Sequence, residues 1–226
     1  PLTKADLDSN KILLSSISKI TPNVPILSEE EFIEWDTRKN WETYWLIDPL
    51  DGTKEFIKKN DEFTINIALI EYNQPVLGII YAPAFGSLFF SKKNNGSYKI
   101  YTKNNLGTFK NSEKISVKYT NNEKIRVIGS RSHSNIAFDN WVKKKFTNFE
   151  IIEKGSSLKF CEIAEGKADI YPRFGPTSEW DIAAGHIILL EAGGKLKTID
   201  NKDLVYNKKE DILNPHFFAY AHDALL

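Results

Sequence analysis

The sequence is short of the residues that several classes of protein require. One cysteine among 226 residues cannot form an internal disulfide or a thiolate metal site, which excludes disulfide scaffolds and zinc fingers. A lone cysteine is typical of a reducing compartment, so we expect a cytoplasmic protein, with peripheral attachment at the inner membrane face as a further expectation. No apolar run approaches the ~18 residues of a membrane helix, and we expect no transmembrane segment.

The chain also lacks a net charge and a methionine. Its 30 Lys+Arg residues balance 30 Asp+Glu residues, so there is no basic excess to bind a nucleic-acid backbone. We therefore expect no nucleic-acid partner, although a few local cations could hold a small anionic ligand. A chain that begins at Pro1 and contains no methionine is expected to be processed or partly observed.

The apolar pattern of the first half predicts strands beside one helix. Apolar residues at helical spacing predict an amphipathic helix over 5–20. Short strands are predicted at 24–27 and 44–47, and alternating apolar residues over 63–81 predict an antiparallel hairpin. Residues 103–124 are rich in lysine and asparagine and are interpreted as a linker.

The second half alternates between strand and helix, as layered α/β architectures do. The spacing of apolar residues predicts helices over 136–146, 156–165 and 179–192, with short strands between them. The change of pattern near the lysine-rich stretch indicates two differently built parts of one chain.

Acidic residues form three clusters, and two of them follow predicted strands. The clusters are Glu29-Glu30, the pair Asp48 and Asp51, and Asp181 at the start of a predicted helix. Carboxyl ends of strands are the usual edge of a ligand crevice in α/β folds. Taken singly, each cluster has an alternative interpretation, because acidic turns are often only solvated and an acid in a first helical turn is ordinary capping.

The segment Asp48-Pro-Leu-Asp-Gly-Thr53 has the composition of a cation-binding turn. Its proline fixes one φ angle and its glycine allows close backbone approach, so the turn could direct both carboxylates and the Leu50 carbonyl to one point. Magnesium prefers such oxygen ligands and completes its shell with water and substrate phosphate. The helix predicted to begin after Gly52 would offer free N–H groups to a phosphate.

Four ordered blocks together resemble the inositol monophosphatase superfamily of lithium-sensitive, magnesium-dependent phosphatases. The blocks are Asp6, Glu29-Glu30, DPLDGT at 48–53 and WDIAAG at 180–185. The likeness covers nearly the whole chain, and the segments LSEE, YWLIDPLDGTKEFI, GSSLKFC, AEGKADIYPRFGPT and LNP are similar to its bisphosphate nucleotidase branch. The resemblance implies an α+β fold, the layered αβαβα sandwich of the inositol monophosphatase and fructose-1,6-bisphosphatase type.

The resemblance also implies an activity. We expect magnesium-dependent hydrolysis of the 3′-phosphate of adenosine 3′,5′-bisphosphate, which gives AMP and phosphate, in a protein that is a monomer or a homodimer. One alternative is a phosphatase of inositol phosphate or another small phosphomonoester. The other is a catalytically silent, nucleotide-binding relative.

Roles for particular residues follow from the resemblance by position. Two or three Mg²⁺ ions would be held by Glu29, Asp48, the Leu50 carbonyl, Asp51 and Asp181, while Asp6 and Thr53 would orient or deprotonate the attacking water. The expected substrate-binding residues are Gly52, Thr53, His133, Ser156, Lys159, Arg173 and Asp181. A guanidinium at position 173 suits an extra phosphate, where inositol-specific relatives carry a glutamate. Surface charge or helix capping is the alternative for His133, Ser156, Lys159 and Arg173.

The resemblance gives the predicted organisation of the chain. Residues 1–118 are expected to form an N-terminal α+β subdomain with the metal-binding turn, and residues 119–226 a C-terminal α/β subdomain with nucleotide-binding residues. The two are expected to form one structural unit. Relatives also carry a helix ahead of the block that begins here at Pro1, and this sequence does not contain it.

Overall fold

The computed structural model describes residues 1–102, 109–119, 124–131 and 135–226. The α-helices in these ranges are α1 (Lys4–Ile20), α2 (Trp35–Arg38), α3 (Thr53–Lys58), α4 (Ile136–Lys145), α5 (Leu158–Ala164) and α6 (Glu179–Glu191). The strands are β1 (Ile26–Ser28), β2 (Thr43–Asp51), β3 (Thr64–Glu71), β4 (Gln74–Ala82), β5 (Ser87–Lys92), β6 (Ser97–Tyr101), β7 (Glu113–Ile115), β8 (Ile125–Ser130), β9 (Phe149–Lys154), β10 (Ile170–Arg173), β11 (Lys195–Thr198) and β12 (Phe217–Tyr220). Across these ranges, every helix is too short or too polar to span a bilayer.

Two sheets and three layers of helices make up the fold. Within the described residues, the first sheet has seven strands in the order β1 to β7 and is antiparallel apart from the β1–β2 pair. The second has five strands in the order β11-β12-β10-β8-β9. Helices α5 and α6 lie between the sheets, α1 packs on β2, and α4 covers the second sheet. The predicted α+β layered sandwich is therefore confirmed.

Helix α1 agrees with the predicted helix over 5–20 and shows why it begins where it does. Thr3 is the N-cap, and its side chain and that of Asp6 accept each other's backbone N–H groups in a capping box. Such a box satisfies two N–H groups that the helix would otherwise leave unpaired. The same Asp6 side chain is buried and turned toward the start of α3, so the cap also places a carboxylate beside the acidic turn.

Strand β2 runs further than the sequence predicts. The predicted strand ends before Asp48, but β2 continues through the acidic turn to Asp51. Its pairing with β3 shifts register between Asp48 and Asp51. A bulge of this kind turns side chains that would otherwise alternate, so the carboxylates can face one point without the strand ending.

Two other sequence predictions are corrected, and one strand was not predicted. Helix α5 begins at Leu158 rather than at 156, because Ser156 has a φ of 44° and is not helical. The lysine-rich stretch 103–124 is more than a linker, since its described part contains β7, which extends the first sheet. Strand β11 was not predicted, although it pairs along its length with β12.

Helix α6 lies unusually close to both of its neighbours. A Cβ placed on Gly78 of β4 would lie 2.6 Å from the Ala184 carbonyl oxygen, and one on Gly185 would clash with the Phe160 ring. Because no larger residue fits at either contact, the helix is held against the first sheet and α5 at once. This contact fixes the first turn of α6, which carries Asp181, against the end of β2.

Candidate active site

The acidic residues of the predicted metal site lie together at the end of β2 and the start of α6. One carboxylate oxygen from each of Asp48, Asp51 and Asp181 can be chosen so that all lie within 4.8 Å of one another. Glu29, from the loop after β1, shares a side-chain hydrogen bond with Asp48. The structure therefore brings together four carboxylates from three separate segments.

The electrostatics of this cluster fit a divalent cation. Burial raises the pKa of Asp48 well above its usual range, and the nearby Asp51 and Glu29 carboxylates raise it further. Burial, followed by Asp51, raises the pKa of Asp181 to about 8. Burial also raises the pKa of Glu29. Carboxylates that repel one another and offer only oxygen atoms are the donor set that hard cations such as Mg²⁺ prefer.

Hydrogen bonds hold the carboxylates in place. The Leu50 N–H donates to Asp48 Oδ1 at 3.0 Å, and the Ser157 hydroxyl lies 2.7 Å from Asp51 Oδ2 and from the Asp181 carbonyl oxygen. Asn66 on β3 donates to Ser157 Oγ at 2.7 Å. Ser157 and Asn66 were missed by sequence reasoning, although Ser157 lies in the GSSLKFC segment and Asn66 on a correctly predicted strand.

The predicted catalytic residues Asp6 and Thr53 are in contact. Thr53 Oγ1 lies 3.2 Å from Asp6 Oδ1 and 3.4 Å from the Leu50 carbonyl oxygen. Asp6 Oδ2 accepts the Thr3 N–H at 2.8 Å in the capping box of α1. One oxygen of Asp6 is therefore used by the helix, and the other faces the threonine at the start of α3.

Opposite the acidic cluster lie two cationic side chains. Lys159 is buried on α5, where its ammonium donates to the Ser156 carbonyl oxygen at 2.8 Å and lies 5.7 Å from the centre of the Tyr171 ring. Burial lowers the pKa of Lys159 to about 8. Arg173, at the end of β10, donates to the Pro176 carbonyl oxygen at 2.7 Å. Lys159 is thus not the surface charge that the alternative interpretation supposed.

Two polar atoms on this side are buried without a partner among the described residues. They are Ser156 Oγ and Arg173 Nε. Ser156 does not start a helix, since Ser157 precedes α5 at the N-cap, but its hydroxyl is available to a ligand. Buried polar atoms without a partner are costly, and both belong to residues that line the main cavity.

The acidic and cationic residues face each other across one cavity of about 530 Å³, called here the main cavity. Its lining includes the predicted residues Glu29, Asp51, Gly52, Thr53, Ser156, Lys159, Arg173 and Asp181. Gly52 has a φ of 89°, and a Cβ there would lie 3.1 Å from the Glu62 carbonyl oxygen. The predicted residue His133 lies outside the described residues.

A second cavity of about 410 Å³ adjoins the first. Ser130, Tyr171, Arg173 and Pro176 line both cavities. The remainder of the second cavity is lined by apolar residues, among them Phe138, Ile151 and Phe174, and by the polar residues Arg131, Asn135, Asp139 and Glu153. Arg173 therefore stands between a charged cavity and a more apolar one.

Comparison with known proteins identifies the family of this chain. The profile of the inositol monophosphatase family matches residues 1–225. The chain belongs to that family. Its acidic turn, the Asp6–Thr53 contact and the start of α6 are thus features of an inositol monophosphatase family member.

Several family members are closely similar to this chain. The 3′(2′),5′-bisphosphate nucleotidase CysQ of Buchnera aphidicola is 45% identical over 98% of this chain and 80% of its own length. CysQ of Salmonella typhimurium is 42% identical over 96% of this chain and 84% of its own. The crystal structure of CysQ from Bacteroides thetaiotaomicron superposes with a TM-score of 0.83 at 42% identity, covering 92% of this chain and 81% of that one.

Proposed function

We propose that this protein is a magnesium-dependent phosphatase that hydrolyses the 3′-phosphate of adenosine 3′,5′-bisphosphate, giving AMP and phosphate. The observation that carries the proposal is a single cavity with clustered carboxylates on one side and, on the other, the buried Lys159 and the half-buried Arg173. The similarity to curated 3′(2′),5′-bisphosphate nucleotidases over nearly the whole chain supports the same activity. A substrate with two phosphates needs both sides of such a cavity.

On the acidic side, Glu29, Asp48, Asp51, Asp181 and the Leu50 carbonyl would hold two or three Mg²⁺ ions. When bound, Mg²⁺ would neutralise the phosphate oxygens and make a neighbouring water more acidic. The carboxylates are supported by the Leu50 N–H and the Ser157 hydroxyl, so their orientation does not depend on the cation. A site prepared in this way loses little free energy to reorganisation when the substrate binds.

The Thr53–Asp6 contact would guide the attacking water. A threonine hydroxyl can donate to a carboxylate while its lone pairs accept a hydrogen bond from water. With Thr53 Oγ1 3.2 Å from Asp6 Oδ1, a water beside Thr53 would be oriented for attack on the phosphorus atom. Its proton could pass through the threonine hydroxyl to the Asp6 carboxylate.

On the opposite side, Lys159, Arg173 and the Ser156 hydroxyl would hold the 5′-phosphate, with Gly52 allowing close approach and His133 as a further expected contact. Arg173 Nε and Ser156 Oγ are buried donors that have no acceptor among the described residues, and both residues line the main cavity. The adjoining cavity offers the apolar side chains of Phe138, Ile151 and Phe174 among polar ones. Such a surface suits a nucleoside and is not needed by an inositol phosphate. These features favour the nucleotide over the inositol ester.

Three further expectations stay proposals. The boundary between 1–118 and 119–226 is supported by the first sheet ending at Ile115 and the second beginning at Ile125. A cytoplasmic location, with or without peripheral attachment at the inner membrane face, rests on the lone cysteine. The choice between monomer and homodimer is a prediction that light scattering would test.

The experiment that tests the proposed function measures phosphate release from adenosine 3′,5′-bisphosphate and inositol 1-phosphate side by side, with and without Mg²⁺. We expect Mg²⁺-dependent release that is selective for the nucleotide. Release mainly from the inositol ester would keep the metal site and overturn the substrate assignment. If the folded protein binds the nucleotide without Mg²⁺ and releases no phosphate, the silent-relative alternative is correct.

A further inference from the structure

Glu62, in the segment after α3, joins the metal-bearing part of the molecule to two loops of the other part. Its side chain is 6% exposed. Glu62 Oε2 accepts from Arg131 Nε at 2.8 Å and from the Gly155 N–H at 2.7 Å, and Oε1 accepts from Arg131 Nη2 at 3.0 Å. Arg131 follows β8 and Gly155 follows β9, so one carboxylate connects three chain segments.

The packing around Glu62 is as close as its hydrogen bonding. A Cβ on Gly155 would lie 2.8 Å from the Glu62 carbonyl oxygen and 2.9 Å from its Cβ. A Cβ on Gly52 would lie 3.1 Å from that carbonyl oxygen and 3.2 Å from the Ser156 Cβ. Real Cβ atoms rarely approach so closely, so both glycines are needed for the three segments to meet.

A short series of direct contacts leads from Glu62 to the cationic side of the main cavity. Gly155 precedes Ser156, whose φ of 44° is unfavourable for a serine. The Ser156 carbonyl oxygen accepts the hydrogen bond from Lys159 Nζ at 2.8 Å. The Glu62 carboxylate therefore holds the loop whose strained residue positions the buried ammonium. On the other side it holds Arg131, which lines the second cavity.

The negative charge of Glu62 strengthens the hydrogen bonds by which it holds the two loops. Burial alone would raise its pKa, but the hydrogen bonds from Arg131 and from the Gly155 N–H lower it overall. The carboxylate is therefore ionised at neutral pH, and the hydrogen bonds are charge-assisted, the stronger kind. Glu153 lies 3.7 Å from the other Arg131 nitrogen, but its side chain is mostly exposed and holds no loop.

We propose that Glu62 is a positioning residue for substrate selection, which fixes Arg131 and residues 155–159 in the arrangement that accepts a second phosphate. This inference rests on the proposed function and assigns its selectivity to a residue outside the expected ligand set. Glu62 acts through its neighbours and does not touch the substrate. Ser157, which lies in the same segment, is held separately by Asn66 and the Asp181 carbonyl. The phosphate that is hydrolysed lies at the acidic side and therefore does not depend on Glu62.

The test compares adenosine 3′,5′-bisphosphate with adenosine 3′-monophosphate, which lacks only the second phosphate. For Glu62→Ala we expect the KM of the bisphosphate to rise about 10-fold, the scale of one charge-assisted hydrogen bond. The kcat and the KM of the monophosphate should change by less than about threefold, because the acidic side is intact. Glu62→Gln should fall between, since its amide oxygen can accept from Gly155 but cannot pair with the Arg131 charge.

Three further variants make the test specific. Arg131→Ala should reproduce part of the effect, and the double variant should lose less than the sum of the single losses, as expected for residues acting together. Glu150→Ala is the matched control, because it breaks an exposed ion pair with Lys124 away from both cavities and should leave both KM values unchanged.

Each of the other outcomes overturns either this inference alone or the proposed function together with it. An unchanged ratio of the two KM values, or an equal loss on both substrates, overturns the inference alone, provided that the wild-type protein prefers the bisphosphate. If Glu62→Ala does not fold, Glu62→Gln and Arg131→Ala carry the same comparison and the same criterion. A wild-type protein that releases no phosphate, or shows no preference for the bisphosphate, overturns the proposed function and the inference with it.

Discussion

The two sides of the main cavity carry opposite charges, and on both sides burial disfavours the charged form of a side chain. On the acidic side, burial and mutual repulsion raise the pKa of Asp48 and of Asp181. On the cationic side, burial lowers the pKa of Lys159. The opposite side of the cavity offsets this effect of burial only in part, since Asp51 raises the pKa of Lys159 and Arg173 lowers that of Asp181. A divalent cation would satisfy one side and a phosphate the other.

The two sides differ in how their side chains are supported. The carboxylates receive hydrogen bonds from nearby donors, such as Leu50 N–H and the Ser157 hydroxyl. Lys159 donates to the Ser156 carbonyl and Arg173 to the Pro176 carbonyl. Arg173 also shares a side-chain hydrogen bond with Tyr171, but its Nε has no partner in the described part of the chain. The carboxylates of the acidic side are thus held in place before a cation binds. On the cationic side, Arg173 Nε remains a hydrogen-bond donor for a ligand.

The largest effect is expected when one charge is removed from the acidic side. Asp48→Asn should lower Mg²⁺-dependent phosphate release by at least ~10²–10³-fold, the scale of losing one preorganised electrostatic group. Without Mg²⁺ the variant should melt no lower than the wild type, because an amide oxygen can still accept the Leu50 N–H and the repulsion from Asp51 and Glu29 is relieved. Enzyme assays and thermal melts with and without Mg²⁺ measure both effects.

A surface substitution provides the control for that comparison. Asp8→Asn removes an aspartate that is 57% exposed and, within the described ranges, paired with Lys4 alone, and exposed pairs of this kind contribute little. It should leave phosphate release and the Mg²⁺-induced rise in melting temperature unchanged. Wild-type activity in Asp48→Asn, or a melting temperature several degrees lower without Mg²⁺, would contradict the role of the acidic side as a cation site.

The acidic side was also the easier side to predict from sequence. Asp48 and Asp51 are three residues apart, so local chain geometry alone brings them near each other. Sequence did not reveal that β2 continues through both residues, because the register shift against β3 depends on pairing with a distant segment. Ser157 and Asn66 were missed for the same reason, since their contacts with the turn exist only in the folded chain.

The cationic side depended more on tertiary structure. Lys159 could be identified by resemblance, but its burial follows from how α5 packs between the sheets, which apolar spacing does not define. Likewise, the lysine-rich stretch was interpreted as a linker, although strand β7 within it completes the first sheet. The overall layered fold was predicted correctly because the blocks that carry the resemblance, although short, occur in the same order along nearly the whole chain.

The next largest effect is expected when the sign of one charge on the cationic side is reversed. Arg173→Glu should lower kcat/KM for adenosine 3′,5′-bisphosphate by about 100-fold, since a charge-assisted hydrogen bond is lost and a repulsion is added. Activity on inositol 1-phosphate should change by less than about threefold. Arg173→Lys should lie between, because an ammonium keeps the charge but lacks the planar fork. Steady-state kinetics on both substrates measures the difference.

A matched charge reversal on the surface separates this effect from a change in overall field. Lys202→Glu alters the net charge by the same amount at an exposed position and should leave both substrates unaffected. If Arg173→Glu lowered activity on the two esters equally, the cationic side would have no part in selecting the substrate.

The smallest effect is a dependence of stability on pH that Mg²⁺ should remove. The pKa of Asp181 is raised to about 8 and that of Glu179 to about 7, in both cases mainly by burial. A carboxyl with a higher pKa in the folded than in the unfolded chain binds protons more tightly when folded. The free energy of unfolding therefore falls as pH rises from about 4 toward these values. His186, whose pKa burial lowers to about 4, opposes this only below about 6.5.

Between about pH 6.5 and 8 the carboxyl effect is thus least opposed. In the presence of a chelator we expect the melting temperature to fall by roughly 5 °C across that range. Saturating Mg²⁺ should abolish or reverse the fall, because the cation binds the deprotonated carboxylates. Asp181→Asn, which keeps an oxygen for the capping bond with the Ser178 N–H, should flatten the slope without Mg²⁺. A melting temperature that rises over this range in the chelated wild type would contradict the raised pKa values of Asp181 and Glu179.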